Sequence, residues 1–424
     1  MFVKSVTIGM VCPGQTGHMT PALSLSIELR RRGYKVCFFQ HVDASERVRE
    51  LGFECIDYGL DFFPEGRLNE IELKASELEG IQALRYAGQF YSDCIKADLK
   101  DLPKLFSELK IDFVIADQAN PGAAAVAAVL GLPYITLSAG LPFNQEAGLP
   151  PYFTPMKYSK SIFFRAMYAI SNYFFNKGAG EALATINNYL VNNRQKPFEK
   201  ELVGVSKLGQ LCQMNKGFDF PRCAAYTEKL YYCGLLHDSA LTKDVSFPFQ
   251  RLNELPLVYC GLGTRQNGIV EKYERIIEAV SGLDVQLVIS LGGAKHESLI
   301  AKQSEKLIVV EYAPQLELLK RASLFISHCG LGSTMQSLSQ GTPILAMPVT
   351  NDQPGVAARV RHHKVGRLTY ARSPDIIRKE VQTILEDSAY KRGAMTQKDD
   401  MARNCGVQYA VDHIESILSE VIRS

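Results

Sequence analysis

Three groups of residues in this 424-residue chain have the types and spacing for chemistry. The first is the run His328-Cys329-Gly330-Leu331-Gly332-Ser333-Thr334-Met335-Gln336, followed by Gly341-Thr342-Pro343. Two glycines and two hydroxyl residues at a strand-to-helix turn expose backbone N–H groups at the positive end of a helix, where a phosphate is stabilised; a purely structural turn has the same composition. The second is His18, in the loop before the first helix, with Asp117 at the end of a separate strand. Both fall at the carboxyl edge of a sheet, where side chains from different strands converge; taken singly, they read as a solvated histidine and a helix N-cap before Pro121. The third is Asp352-Gln353, whose carboxylate and amide offer several acceptors and two donors, or, standing alone, an acid at a helix N-terminus. No Asp-x-Asp or HExxH motif occurs, and His362-His363 are adjacent on a helix and point in different directions, so no metal site is expected.

The elements that must position these residues follow from periodicity. Residues 5–11 read as a strand, 13–20 as a glycine-bearing loop and 21–32 as a helix in which Ala22, Leu25 and Leu29, with Leu23 and Ile27, form one apolar stripe. Thr20 suits its N-cap, Pro21 its first position and Gly33 its end, before a strand at 35–39. The unit recurs at 112–116, 121–130 and 134–137, which argues for a parallel, doubly wound sheet. A Pro-rich loop at 141–155 and an aromatic, basic stretch at 161–177 interrupt it. Strand-like runs return at 257–260, 285–291, 307–310, 324–327 and 343–347, a second α/β sheet, with 236–256 as the linker. The expected class is therefore α/β with two Rossmann-like, doubly wound parallel-sheet domains across a cleft, spanning 1–235 and 257–405, and a terminal helix at 406–424.

Composition sets the outer limits. A length of 424 residues predicts two domains, and 46% hydrophobic with 22% charged residues is ordinary for a folded chain. A net charge of +2 supplies no field for a polyanion, so nucleic acid is not expected as a partner. Ten cysteines without a CxxC pair point to a reduced, cytoplasmic protein. The apolar stretch at 6–11 is short for a signal core, and no run of about 18 apolar residues occurs.

Around the glycine turn, Tyr312-Ala313-Pro314-Gln315 lies upstream and Asp352-Gln353 downstream. In this the sequence resembles glycosyltransferase family 1, nucleotide-sugar-dependent enzymes of GT-B fold; the resemblance extends to residues 14–21, Asp117 and Gly263-Thr264, over nearly the whole chain. Phe218-Asp219-Phe220-Pro221-Arg222 and the run 352–359 look most like its bacterial zeaxanthin glucosyltransferase branch. The resemblance implies a metal-independent, inverting transfer of a sugar from a UDP-sugar, UDP-glucose by expectation, to a hydroxyl of a small apolar acceptor such as a carotenoid, terpenoid or polyketide. No other cofactor is implied. His18 would be the general base and Asp117 its partner. Gly17, Gly263, Thr264, Tyr312, Ala313, Gln315, His328, Gly330, Gly332, Ser333, Thr334, Gln336, Asp352 and Gln353 would hold the donor: Tyr312 stacked on the base, His328 and the turn on the diphosphate, Asp352 and Gln353 on sugar hydroxyls. The terminal helix would cross back to the first domain.

Two positions depart from the family. Gln336 stands where an acid accepts both ribose hydroxyls, and Gly332 replaces the usual asparagine, which leaves the choice between UDP and dTDP open. Phe143, Phe163 and Phe164 are acceptor candidates, and the 161–177 segment fits core, acceptor pocket or peripheral membrane contact. A GT-B sugar-nucleotide epimerase or hydrolase, and a catalytically impaired nucleotide- or lipid-binding homologue, are the competing readings.

Overall fold

The computed structural model describes residues 6–78, 80–223, 228–242, 245–263, 270–403 and 406–423. In the first half, strands β1 (Thr7–Val11), β2 (Lys35–Gln40), β3 (Glu54–Asp57), β4 (Phe113–Asp117), β5 (Tyr134–Ser138), β6 (Gln210–Cys212) and β7 (Leu230–Tyr232) form one parallel sheet in the order β3-β2-β1-β4-β5-β6-β7. Helices α1 (Thr16–Arg31), α2 (Val42–Glu50), α3 (Arg67–Glu77), α4 (Gly80–Glu108) and α5 (Pro121–Leu130) fall between these strands, and α6 (Ile162–Gly178) and α7 (Gly180–Asn192) occupy the long excursion between β5 and β6. The second half places β8 (Leu257–Gly261), β9 (Gln286–Ser290), β10 (Leu307–Val310), β11 (Ala322–Ser327), β12 (Ile344–Ala346) and β13 (Gly366–Leu368) in a second parallel sheet, order β10-β9-β8-β11-β12-β13. Strands covered on both faces must be apolar throughout, as Val114, Ile115 and Ala116 and, in the other sheet, Val258, Tyr259 and Cys260 are, all buried. This is the two-sheet GT-B architecture.

In both sheets the strand order reverses next to the first strand: β1 lies between β2 and β4, and β8 between β9 and β11. The loops leaving these neighbours diverge and open a crevice at the carboxyl edge. In register, Val11 pairs with Ala116 and Gly261 with Ser327, so the residues that follow, up to His18 and at Asp117 on one side, Gly263 and His328 on the other, emerge at the two crevices.

The first helix differs from its expected start. It begins at Thr16 with Gln15 as N-cap, so Thr20 is not the cap, and Pro21 lies inside the helix. The His18 and Met19 N–H groups both bond the Gln15 carbonyl at 2.9 Å, closing a first turn whose small polar residues carry no apolar period to betray it.

The last helix, Val407–Arg423, buries Ala410, Val411 and Ile414 in the same core as Leu25 and Leu29 of α1. Arg32, just past α1, reaches Asp412 and Glu415 at 2.6 Å each. Between the sheets, Leu236 joins the first core and Phe247 the second.

A polar cluster lies within the first half. Asp98 is fully buried, accepting from Tyr58 Oη at 2.7 Å and Asn120 Nδ2 at 3.3 Å, and burial pushes its carboxyl up from 3.8 to about 7. An acid whose folded pKa is raised adds stability that is fully present below pH 4 and is lost as pH rises through 7. Asp98→Asn is therefore expected to be the more stable protein at pH 8–9, by up to a few kcal/mol, and to converge with the parent near pH 4.5. Urea unfolding across that range reads the difference. His41, whose ring lies 4.9 Å from that of Tyr58 and whose pKa burial pushes down to about 4, is common to both proteins and cancels. A constant difference from pH 4.5 to 9 would count against the buried acid.

Candidate active site

His18 sits in the first turn of α1, and its Nδ1 lies 2.9 Å from Asp117 Oδ2. The Asp117 side chain is fully enclosed while His18 keeps 19% of its surface, so the pair has a buried carboxylate inside and an imidazole edge outside. Asp117 Oδ1 accepts the Ala119 N–H at 2.8 Å, which fixes the carboxylate plane. With Nδ1 bonded to a carboxylate, the proton is held on Nδ1 and the lone pair is carried by Nε2. Gly17 beside it is exposed, and a β-carbon there would meet nothing within 4 Å.

Opposite, β11 ends at Ser327, and Cys329 takes φ +64, a left-handed conformation that few side chains adopt. That twist turns the chain sharply into the helix Leu331–Ser339, capped by Gly330. The first intrahelical bond there is Thr334 N–H to the Gly330 carbonyl, so the N–H groups of Leu331, Gly332 and Ser333 precede it and have no partner within the helix, whereas that of Thr334 is committed. The His328 ring is wedged between two glycines: a β-carbon on Gly263 would come within 2.8 Å of it and one on Gly330 within 2.7 Å, and Gly263 also needs its φ of +83. Enclosure pushes the His328 pKa down to about 4, so the ring is neutral at pH 7 and offers a hydrogen bond rather than a charge. Thr264 lies outside the described residues.

Tyr312 is 44% exposed, its ring packed over Gly293, where a β-carbon would strike the hydroxyl. Ala313 follows it, half-buried. Gln315 opens the next helix, accepts from Tyr259 Oη at 3.3 Å and donates to the Gln336 side-chain oxygen, which ties these two amides together.

The two carboxyl edges face each other. A β-carbon on Gly332 would lie 3.6 Å from Gln213 Nε2 of the first half, and Asp352 Oδ2 accepts the Leu141 N–H at 2.9 Å. Asp352 precedes the helix Gln353–His362 yet makes no side-chain cap to it; it reaches across instead, against Gly140, where a β-carbon would come within 2.8 Å of the carboxylate. Burial raises its pKa, opposed by the Leu141 N–H and by the nearby His18. Gln353 turns its oxygen to the Val349 and Thr350 N–H groups, at 2.8 and 3.2 Å, and so holds the loop that carries Asp352.

Of the aromatic candidates, Phe143 stacks on Tyr152 at 4.5 Å, and its N–H donates to Gln118, the residue after Asp117. Phe164 is half-buried towards Tyr168, whereas Phe163 lies on the outer side of α6, 67% exposed, with Phe164 as a ring neighbour.

Sequence reasoning missed Gln118, which receives the Ser138 hydroxyl and the Phe143 N–H and donates to the Leu141 carbonyl, so one buried amide shapes the 138–143 loop. It also missed Gln15, whose amide is buried at the α1 N-terminus with neither heteroatom partnered. A single glutamine leaves no periodic signal; only its place next to Asp117 or His18 could have drawn attention.

Residues 274–417 match the family model described as erythromycin biosynthesis protein CIII-like, C-terminal domain. Over 415 residues the chain is 27% identical to the zeaxanthin glucosyltransferase of Pantoea ananas, covering 96% of this chain and 95% of that one. It is 25% identical to the zeaxanthin glucosyltransferase of Pseudescherichia vulneris, with 97% of each covered. Among solved structures, CalG4, the calicheamicin glycosyltransferase, superposes with a TM-score of 0.76 at 18% identity, over 99% of this chain and 100% of that one, a likeness of fold.

Proposed function

We propose that this chain is a family 1 glycosyltransferase of GT-B fold that transfers a sugar, glucose by preference, from a UDP-sugar to a hydroxyl of a small apolar acceptor, with inversion at the anomeric carbon. In this reading residues 1–235 receive the acceptor, 257–405 bind the donor, 236–256 link them, and the terminal helix returns to the acceptor side.

The observation that carries the proposal is the His18–Asp117 pair placed opposite the Gly330–Ser333 turn. His18 Nε2 takes the acceptor proton as its oxygen attacks the anomeric carbon; the bond from that carbon to the diphosphate breaks, and the electron pair leaves on the nucleoside diphosphate. Asp117 stabilises the imidazolium that forms. N–H groups at the helix terminus face the charge growing on the leaving phosphate and need no reorganisation to stabilise it. Asp352 and Gln353 would orient the sugar, and Tyr312 would carry the base. The aromatic rings at Phe143 and Tyr152 and the zeaxanthin glucosyltransferase relatives favour an apolar acceptor.

Incubation with UDP-glucose and a panel of apolar alcohols, read by mass spectrometry, is expected to give one-hexose adducts. Release of free glucose at the same rate with and without alcohol would instead mark a donor hydrolase. Nucleotide choice has its own test: Gln336→Glu keeps the acceptor that Gln315 uses and adds a charge for the ribose hydroxyls, so UDP binding is expected to tighten by about tenfold in calorimetry. Unchanged affinity would remove Gln336 from the ribose.

A further inference from the structure

Helix α6 has two apolar faces, and only one is covered. On its inner side Tyr168 is buried, and Phe175 stacks on Phe153 at 4.5 Å and meets Tyr152 edge-on at 5.7 Å. Tyr152 in turn stacks on Phe143, which is bonded to the residue after Asp117. A line of rings therefore runs from Phe175 of α6 through Tyr152 to Phe143, whose N–H is bonded to Gln118, the neighbour of Asp117. On the outer side Ile162, Phe163, Ile170, Tyr173 and Phe174 are all more than half exposed. With Ala166 and Ala169, also exposed, they fall within an arc of about 140° at 100° per residue, a stripe of the width that normally faces a core. Soluble proteins rarely leave such a stripe bare.

Charge decides what would cover it. Between Glu146 and Glu181 the chain carries Lys157, Lys160, Arg165 and Lys177 and no acidic residue. The whole chain is only +2, so the rest of it is net negative. All four basic residues are exposed. Bulky apolar side chains on a helix, with Arg165 and Lys177 on it and Lys157 and Lys160 on the segment leading into it, are suited to the boundary of an anionic bilayer, where the rings enter the acyl region and the cations meet phosphate headgroups. Among the described residues no helix is long and apolar enough to cross a membrane, so the contact would be peripheral.

We propose that the outer face of α6 docks on an anionic lipid bilayer, and that an apolar acceptor dissolved there reaches His18 along the aromatic line on the inner face. The passage of acceptor rests on the glycosyl-transfer reading; the docking does not. A bilayer-bound enzyme collects a water-insoluble acceptor where it is concentrated, while the UDP-sugar arrives from the aqueous side.

The test is sedimentation of the full chain with vesicles of phosphatidylcholine containing 30% phosphatidylglycerol, without donor or acceptor. Binding is expected, falling at least tenfold for Ile170→Gln/Phe174→Gln and for Lys160→Glu/Lys177→Glu, and weakening in 0.5 M salt. Both double variants should retain the parent's rate on a water-soluble acceptor and lose rate on an acceptor embedded in the vesicles. No binding to these vesicles, equal binding by the parent and Ile170→Gln/Phe174→Gln, or a dimer in light scattering that this variant dissociates, would overturn the docking. Vesicle binding with no sugar transfer to any acceptor would leave the docking standing and overturn the proposed reaction instead.

Discussion

His18→Ala is expected to lower kcat by roughly 10²–10⁴-fold while UDP affinity stays within about twofold of the parent. The size follows from what the pair does. In the parent, Asp117 Oδ2 accepts from Nδ1 at 2.9 Å and leaves Nε2 as the basic nitrogen. Removing the ring deletes the proton acceptor but leaves the donor turn at Gly330, on the other sheet, intact. Asp117→Asn makes a sharper test, because Oδ1 can still accept the Ala119 N–H while the new amide donates towards Nδ1. That donation drives the imidazole proton to Nε2, so the base presents the wrong nitrogen, and a comparable loss is expected with the fold unchanged. Steady-state kinetics with calorimetric UDP binding separates the outcomes. Undiminished turnover in His18→Ala would remove the proposed base, and a fall in UDP affinity equal to the fall in rate would assign His18 to the donor instead.

The second large effect concerns the contact between the halves. Asp219, a few residues past β6, is almost fully buried and accepts from Arg359 Nε and Nη2 at 3.0 and 2.7 Å, from Arg222 Nε at 2.6 Å and from Tyr232 Oη at 2.8 Å. Arg359 belongs to the second half and is itself 2% exposed, so this carboxylate joins the two halves of the chain. The two guanidinium groups hold the Asp219 carboxyl well below the usual carboxylate range, against the opposing effect of burial. Asp219→Ala would leave Arg359 buried without a counter-charge and Arg222 with Glu146 alone, 3.8 Å away, and is expected to cost about 3–5 kcal/mol in urea unfolding. The double change Asp219→Leu/Arg359→Leu is expected to recover part of that loss, since it removes a buried charge from each side. A single-variant loss below about 1 kcal/mol would mean that water or another acid compensates the arginines. A group whose folded pKa is depressed contributes stability above its unfolded value and loses it as pH falls, so the parent's advantage over Asp219→Ala should shrink below pH 4.

The parts of this fold that were legible in the sequence are those with period and punctuation. The strand at 307–310 and the helix at 121–130 coincide with β10 and α5, because a short apolar run between Lys306 and Glu311, and a longer one between Pro121 and Gly131, each admit one reading. Strands β6, β7 and β13, of three residues each, carry too little pattern to separate from loop. The α1 start was misplaced because Thr16, Gly17 and His18 contribute no apolar stripe. At the site, the glycine turn and the strand-end positions of His18 and Asp117 could be read locally, whereas the Asp352 contact to Leu141 spans 211 positions and is set by how the two halves meet. Asp219 and Arg359 were visible as members of two family-like runs, but nothing in either run foretold that they would pair across 140 positions.

Helix α1 also has a mechanical side. Its first turn holds His18, and just past its last turn Arg32 grips Asp412 and Glu415 of the terminal helix; sixteen residues at 1.5 Å each make it a strut of about 24 Å. A stiff strut with His18 at one end and the tail of the chain at the other transmits displacement. Fraying or undocking of the last helix would therefore be felt as a misaligned imidazole at the far end of the strut.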